Sequence, residues 1–170
     1  MVARAIVGEH LGEIMKAVFG AIGLMLISGG IAQAQEAQWW PLAIESTATG
    51  IDVGSKTRSG DVATIWFIIV YDEPNVSEND ADYRLSRFEF SCSRRTGAQI
   101  SSSGYTVGGQ YVGGYEGRAE TISVAPGTVL ASAFTAACDR DFAYDPEQVR
   151  DTDEFVRLTR QVIRENTDYD

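Results

Sequence analysis

Histidine is nearly absent from this chain and cysteine is scarce: His10 alone, with Cys92 and Cys138, in 170 residues. Each shortage excludes chemistry. A Ser-His-Asp or Cys-His nucleophile needs an imidazole as its base, and His10 falls in a segment expected to be removed. Two cysteines without histidine or carboxylate help cannot complete a structural zinc site. No cofactor and no metal are implied. Basic residues are outnumbered, 14 against 24 acids, for a net charge of −10. That balance excludes nucleic acid as a partner, because its binders carry a basic footprint. It also offers no polybasic attraction to anionic lipid. Acidity of this kind serves solubility and singles out no partner.

The amino terminus reads as an export signal, with a lysine (Lys16), an apolar run from Ala17 to Ile31, and Ala32-Gln33-Ala34 as a small-x-small cleavage site. Glycines interrupt the run, which falls short of the roughly twenty apolar residues of a spanning helix. No basic stop-transfer cluster follows it, so stable membrane insertion after cleavage is not expected. Met15 would open such a signal by itself, which makes residues 1–14 an upstream extension of the 1–34 signal segment. No cysteine at the cleavage site offers a lipid attachment point. The expected location is exported: periplasmic, cell-surface or secreted. In an oxidising space two cysteines pair, so Cys92 and Cys138 read as a disulfide rather than as a reactive thiol or ligands.

Residues 35–170 suffice for one domain with a core. "QWWPLAI" (38–44) reads as a first strand, with Pro41 marking an edge or bulge. "STATG" reads as a turn into "IDVGSKTRSGD", a short strand and hairpin. "VATIWFIIVYD" (62–72) is β-branched and aromatic on both faces, which predicts a central strand covered on both sides. "EPNVSENDAD" (73–82) is a polar loop. "YRLSRFEFSC" (83–92) alternates, placing Phe88, Phe90 and Cys92 on an inner face. "AQISSSGYTV" and "QYVGGYEGRAETISV" hold two or three more strands joined by Gly-Gly pairs. Short strands at this spacing predict an α+β fold on an antiparallel sheet rather than βαβ units.

Helical spacing begins late. Thr128 caps a helix in which Leu130, Ala133, Phe134 and Ala137 recur, with Cys138 in its last turn. The disulfide would then pin this packed helix to the strand ending at Cys92. A second, amphipathic helix is predicted over about 146–165, with Asp145 as cap, Pro146 at the first helical position and a stripe of Phe155, Leu158 and Val162. That helix is expected to pack on the protein's own sheet. Residues 139–170 hold ten acids against five arginines, an acidic C-terminal tail after a 35–138 sheet-and-helix domain.

"WWPLA", "GIDVGSKTRSGDVATIWFIIVYDEP", "YRLSRFEFSCSRRT" and "APGTVLASAFTAAC" together resemble the surface-adhesin protein E family of small exported bacterial proteins. The shared features are Trp40, Asp52 with Ser55, the strand Val62–Tyr71, Tyr83 with Ser86, Cys92, Pro126-Gly127-Thr128 and Cys138, covering about residues 39 to 138. The resemblance implies an antiparallel sheet with a helix joined to it by the disulfide, and binding to host extracellular proteins. Ile122 stands where the family pattern has a tryptophan. The acidic tail lies outside the resemblance.

Several groups of residues are candidates for function. Tyr105, Tyr111, Tyr115 and Arg118 could form an aromatic contact surface, since tyrosine and arginine are rich in binding energy at interfaces. Arg94 and Arg95 are the only adjacent basic pair and could meet an acidic partner. Asp72, Glu73, Glu78, Asp80 and Asp82 crowd one loop but lack calcium-loop spacing, so they read as a solvated loop. The glycines of "YTVGGQYVGGYEG" read as hairpin glycines rather than a phosphate cradle, because no helix follows them. Asp52 and Ser55 read as local turn chemistry. The expected function is an exported, non-enzymatic, adhesin-like interaction protein, meeting an unidentified protein partner through its sheet face and Gly/Tyr loop. The alternatives are an envelope-assembly subunit, with a homodimer through the apolar central strand, and a carboxylate hydrolase using acids such as Asp72 and Glu89.

Overall fold

The computed structural model describes residues 36–144 and 149–167. The export signal and the Asp145–Pro146 helix start fall outside them. Six strands follow chain order across one antiparallel sheet: β1 (Trp39–Ile44), β2 (Thr47–Ser59), β3 (Val62–Asn75), β4 (Ala81–Ser91), β5 (Thr96–Tyr105) and β6 (Tyr111–Glu116). A short β7 (Ile122–Ser123) pairs with β5 where β6 has left it. Two helices follow, α1 (Val129–Cys138) and α2 (Thr152–Thr167). The α+β arrangement read from the sequence is present.

β3 lies between β2 and β4, as its two-faced apolar composition requires. Ala63, Ile65 and Phe67 join Ile51, Val53 and Phe90 under α1, while Ile68 and Val70 join Trp39, Ala48 and Tyr83 under α2. β3 is paired along both edges, which leaves a second copy of the chain no edge of this strand to pair with. On β2 the register shifts between Asp52 and Thr57. Asp52 Oδ1 accepts the amides of Gln38 (2.8 Å) and Gly54 (3.0 Å), while the Ser55 hydroxyl donates to Asp52 O (2.6 Å) and accepts from Trp66 N (3.0 Å). The pair therefore locks a β-bulge within a strand rather than a turn.

Thr47–Gly50 of "STATG" are strand, and the reversal is confined to Glu45-Ser46. The small residues there serve helix approach: a Cβ on Gly50 would lie 2.6 Å from Phe155 Cζ. Gly108 and Gly109 do form a turn, Gly109 with φ +75°. Gly113 and Gly114 instead lie inside β6, where a Cβ on Gly114 would meet Ser102 O at 2.1 Å. The second Gly-Gly pair thus permits close strand approach and is not a hairpin turn.

α1 starts as expected, with Thr128 Oγ1 accepting the Ala131 amide (3.1 Å). Ala133, Phe134, Ala136 and Ala137 are buried; Leu130 is only partly so. The Cys92–Cys138 disulfide closes at an S–S distance of 2.11 Å with Cα atoms 5.5 Å apart. Beside it, Arg58 and Lys56 donate to the carbonyls of Cys138 and Asp139. Cations placed on the last carbonyls satisfy groups a helix leaves unpaired and oppose its dipole. Burial pushes the Lys56 amine below its ordinary range.

α2 begins later than its sequence pattern suggested. Val149 is held in extended pairing by Trp39, whose amide donates to Val149 O (2.9 Å), so the helix cannot already be running there. Asp151 is the cap instead, its Oδ1 accepting the Glu154 amide at 2.8 Å. The buried stripe is Phe155, Val156, Thr159 and Ile163, whereas Leu158 and Val162 are exposed. The expected stripe shared only Phe155 with this one. Thr159 can lie inward because its hydroxyl donates to Phe155 O (2.8 Å), which removes the cost of burying it.

Candidate functional site

Each helix covers part of one face, and several exposed apolar side chains gather at the far edge of the sheet. Val107, Tyr111, Tyr115 and Ile122 are all exposed, and all lie on the β5–β6 turn, β6 or β7. β6 ends the strand order, and among the described residues only β5 pairs with it. Its outer amides and carbonyls are therefore open.

Tyr105 stacks on Tyr83 with ring centroids 5.5 Å apart, and Tyr111 meets Tyr105 edge-on at 5.9 Å. Burial pushes the Tyr83 phenol up to about 12, so the inner ring of this column stays uncharged at neutral pH. Tyr111, 58 % exposed, is its outermost member. Tyr115 pairs in register with Ser102, which faces Ser86 on the α1 side, while Tyr105 faces Tyr83 on the α2 side. The tyrosines grouped together in the sequence thus flank the β6 edge from opposite faces. Arg118 joins neither group closely: its Nη1 lies 2.5 Å from Glu89 Oε1.

Arg94 and Arg95 lie in the turn between β4 and β5, at the end of β5 remote from Tyr105. Arg94 Nε donates to Ser91 Oγ (3.0 Å), and the Arg95 guanidinium sits 4.8 Å from the Phe134 ring centroid. Both serve the α1 end of the molecule and are not brought to the tyrosines. Nearby, Asp61 accepts from the Ser91 hydroxyl (2.6 Å) and the Ser93 amide (2.7 Å). These hydrogen bonds, Ser91's first, hold its carboxyl below the usual range.

Acids of this segment pair with arginines. Asp72 pairs with Arg164 (3.0 Å), Asp82 with Arg160 (2.6 Å), and Glu78 with Arg84. Three carboxylates of one segment thus face three arginines, and no cluster of metal-ligating side chains exists among the described residues. Asp82 was the important residue the sequence did not reveal. Its Oδ2 accepts the Val107 amide (2.7 Å), and Arg160 also donates to Tyr71 O (2.8 Å). One nearly buried carboxylate thereby ties the glycine turn, the start of β4 and α2 together. Its partners lie 25 and 78 positions away, beyond the reach of any local pattern. An open groove of about 450 Å³ runs between Val107 and Val156, Arg157, Arg160 and Arg164 of α2.

Residues 39–139 match the family described as surface-adhesin protein E. The chain belongs to this family. It is a family of surface adhesins, which act by binding rather than catalysis, so the chain is adhesin-like and non-enzymatic. Among solved structures, the chain is similar to protein E of Haemophilus influenzae at 17% identity, over 53% of this chain and 79% of that one, with a TM-score of 0.41. It is similar at 14% identity to protein E of non-typeable Haemophilus influenzae, over 75% of this chain and 88% of that one, with a TM-score of 0.42. No curated protein matches. Among the described residues no helix is long and apolar enough to cross a membrane.

Proposed function

We propose that the exported chain, beginning after Ala34, binds a host extracellular protein along the β6 edge, in register with its open backbone. The observation that carries this reading is the exposure of Tyr111 and Tyr115 on opposite faces of an unpaired edge strand. A strand added there gains main-chain hydrogen bonds, and its alternate side chains meet Tyr111 on one face and Tyr115 on the other. Val107 and Ile122 extend the apolar contact at either end. Tyrosine suits the role because it offers large rigid area at low entropic cost. β6 also lacks the lysines and prolines that commonly blunt edge strands.

The test is binding of the chain from Ala34 to a panel of immobilised host matrix proteins, compared with Tyr111→Ala/Tyr115→Ala. Loss of at least about tenfold in affinity is expected, as for anchors at an interface centre. Unchanged binding by the double variant would remove the edge from the account. Capture of envelope components in place of matrix proteins would favour the assembly-subunit reading.

A further inference from the structure

Beyond the rows covered by α1, the α1-side face of the sheet carries a polar cluster beside Tyr115. The α1-side core ends at the row of Ile51 and Phe67; Arg84, opposite Ile69 in the next row but one of β4, is not part of it. Arg84 is an unusual residue to find on a sheet at 12% side-chain exposure. Its Nε donates to Ser102 Oγ (3.1 Å), Ser102 lies 3.2 Å from Ser86 Oγ, and Gln99 Nε2 donates to Ser86 Oγ (2.8 Å). Ser86 and Ser102 are themselves buried. This chain of hydroxyls fixes the guanidinium from below.

Above it only one terminal nitrogen is used, with Nη1 donating to Glu78 Oε2. Among the described residues Nη2 has no hydrogen-bond partner and no buried side-chain nitrogen or oxygen lacks one, so Nη2 is not a buried, unpaired donor. Glu78 is held differently from its partner. It is 39% exposed and belongs to a one-turn 3-10 segment, Val76–Glu78, that leaves through Asn79 and Asp80, both at φ 57°. Tyr71 completes the surroundings, its phenol close enough to feel both Glu78 and Arg84 and pushed up chiefly by burial. It is therefore a neutral donor beside the cation at neutral pH.

A rigid arginine fork with one arm free, half-covered by a carboxylate on an exposed loop, has the form of a carboxylate-binding site occupied by an internal stand-in. We infer that Arg84, backed by Ser102 and Ser86, is a recognition site for a carboxylate on an acidic segment of a partner protein, which Glu78 holds in the free protein. Such a ligand engages Nη2 and displaces Glu78 from Nη1, leaving the sheet undisturbed. Internal competition lowers the apparent affinity by the fraction of time the site is open. The site lies on β4 and β5, next to Tyr115 of β6, which pairs with Ser102; its test reads carboxylate binding and does not depend on strand addition at the β6 edge.

The chain from Ala34 to Asp170, which forms one compact unit, is labelled with ¹⁵N and titrated with acetate and with a blocked acidic hexapeptide. The Ser86 and Ser102 amides report. In Glu78→Gln, both probes should shift these resonances saturably, at least about tenfold more tightly than in the wild type. Arg84→Lys, which keeps the charge but not the fork, should lose the response. Saturable shifts absent from folded Glu78→Gln, or equal in Arg84→Lys, would overturn the proposal. Unfolding of Glu78→Gln would overturn it too, since Glu78 would then be a structural clamp. A response to acetate alone would assign the site to small carboxylates and overturn the acidic-segment assignment.

Discussion

α1 and α2 cover opposite faces of one sheet by different means. α1 is joined by a disulfide to the end of β4, its carbonyl end is capped by Lys56 and Arg58, and its small residues lie flat against β2 and β3. α2 has no covalent tie. Its hold comes from Phe155, Val156 and Ile163 packed on Trp39, Ile68 and Val70, and from Arg160 on Asp82. The first cover lies within the family match and the second beyond its end at residue 139. Outside the sheet, and among the described residues, the α2-side core draws its buried members from α2. The acidic tail is therefore not an appendage: it completes a core that residues 39–139 leave open. Its described acids, Asp139, Asp141, Asp151, Asp153, Glu154 and Glu165, are exposed, while three of its arginines turn to carboxylates.

Removing the covalent tie should have the largest effect on this contrast. Cys92→Ser/Cys138→Ser should lower unfolding free energy by about 4 kcal/mol, the chain-entropy value for a loop of this length, as measured by urea unfolding against the oxidised wild type. A smaller loss, about 3 kcal/mol, is expected for Arg160→Ala in the same assay, because Asp82 would keep its charge in a nearly buried place. Should Arg160→Ala cost nothing, packing alone holds α2. Overfilling the seat of Phe155 by Gly50→Ala should cost about 2 kcal/mol and raise hydrogen exchange in α2 while leaving α1 unchanged. The smallest effect concerns acid. Asp61 titrates below its ordinary value when folded, so its stabilisation is full above the unfolded value near 3.9 and fades as pH falls through the folded one. Asp61→Asn should flatten that limb of the stability–pH curve, and an unaltered limb would remove Asp61 from the account.

Much of the α1 side was legible because its signals are local. Alternation along 83–92, the Thr128 cap and the two cysteines in an exported context each point to the same packing. Asp52 and Ser55 were legible as backbone chemistry, although a bulge and a turn use the same side chains and only the paired strand tells them apart. The α2 side was less legible. Its stripe runs through Thr159, which counts as polar until its hydroxyl is seen bonded to Phe155 O. Its first turn is displaced by the Trp39–Val149 pairing, a contact across most of the described chain. At the candidate edge the tyrosines were visible as residues, but the division of Tyr111 and Tyr115 between two faces depends on a register shift at Gly104/Tyr105 that no periodicity announces.

The proposal that recognition falls to the β6 edge, the open end of the strand order, is most directly tested by hydrogen–deuterium exchange of the chain from Ala34, free and saturated with whichever matrix protein it binds. Amides of residues 111–116 should gain protection on binding, with the 105–110 turn beside them, while α1 and α2 exchange as before. Protection confined to α2 or to β1, with β6 unchanged, would contradict the account.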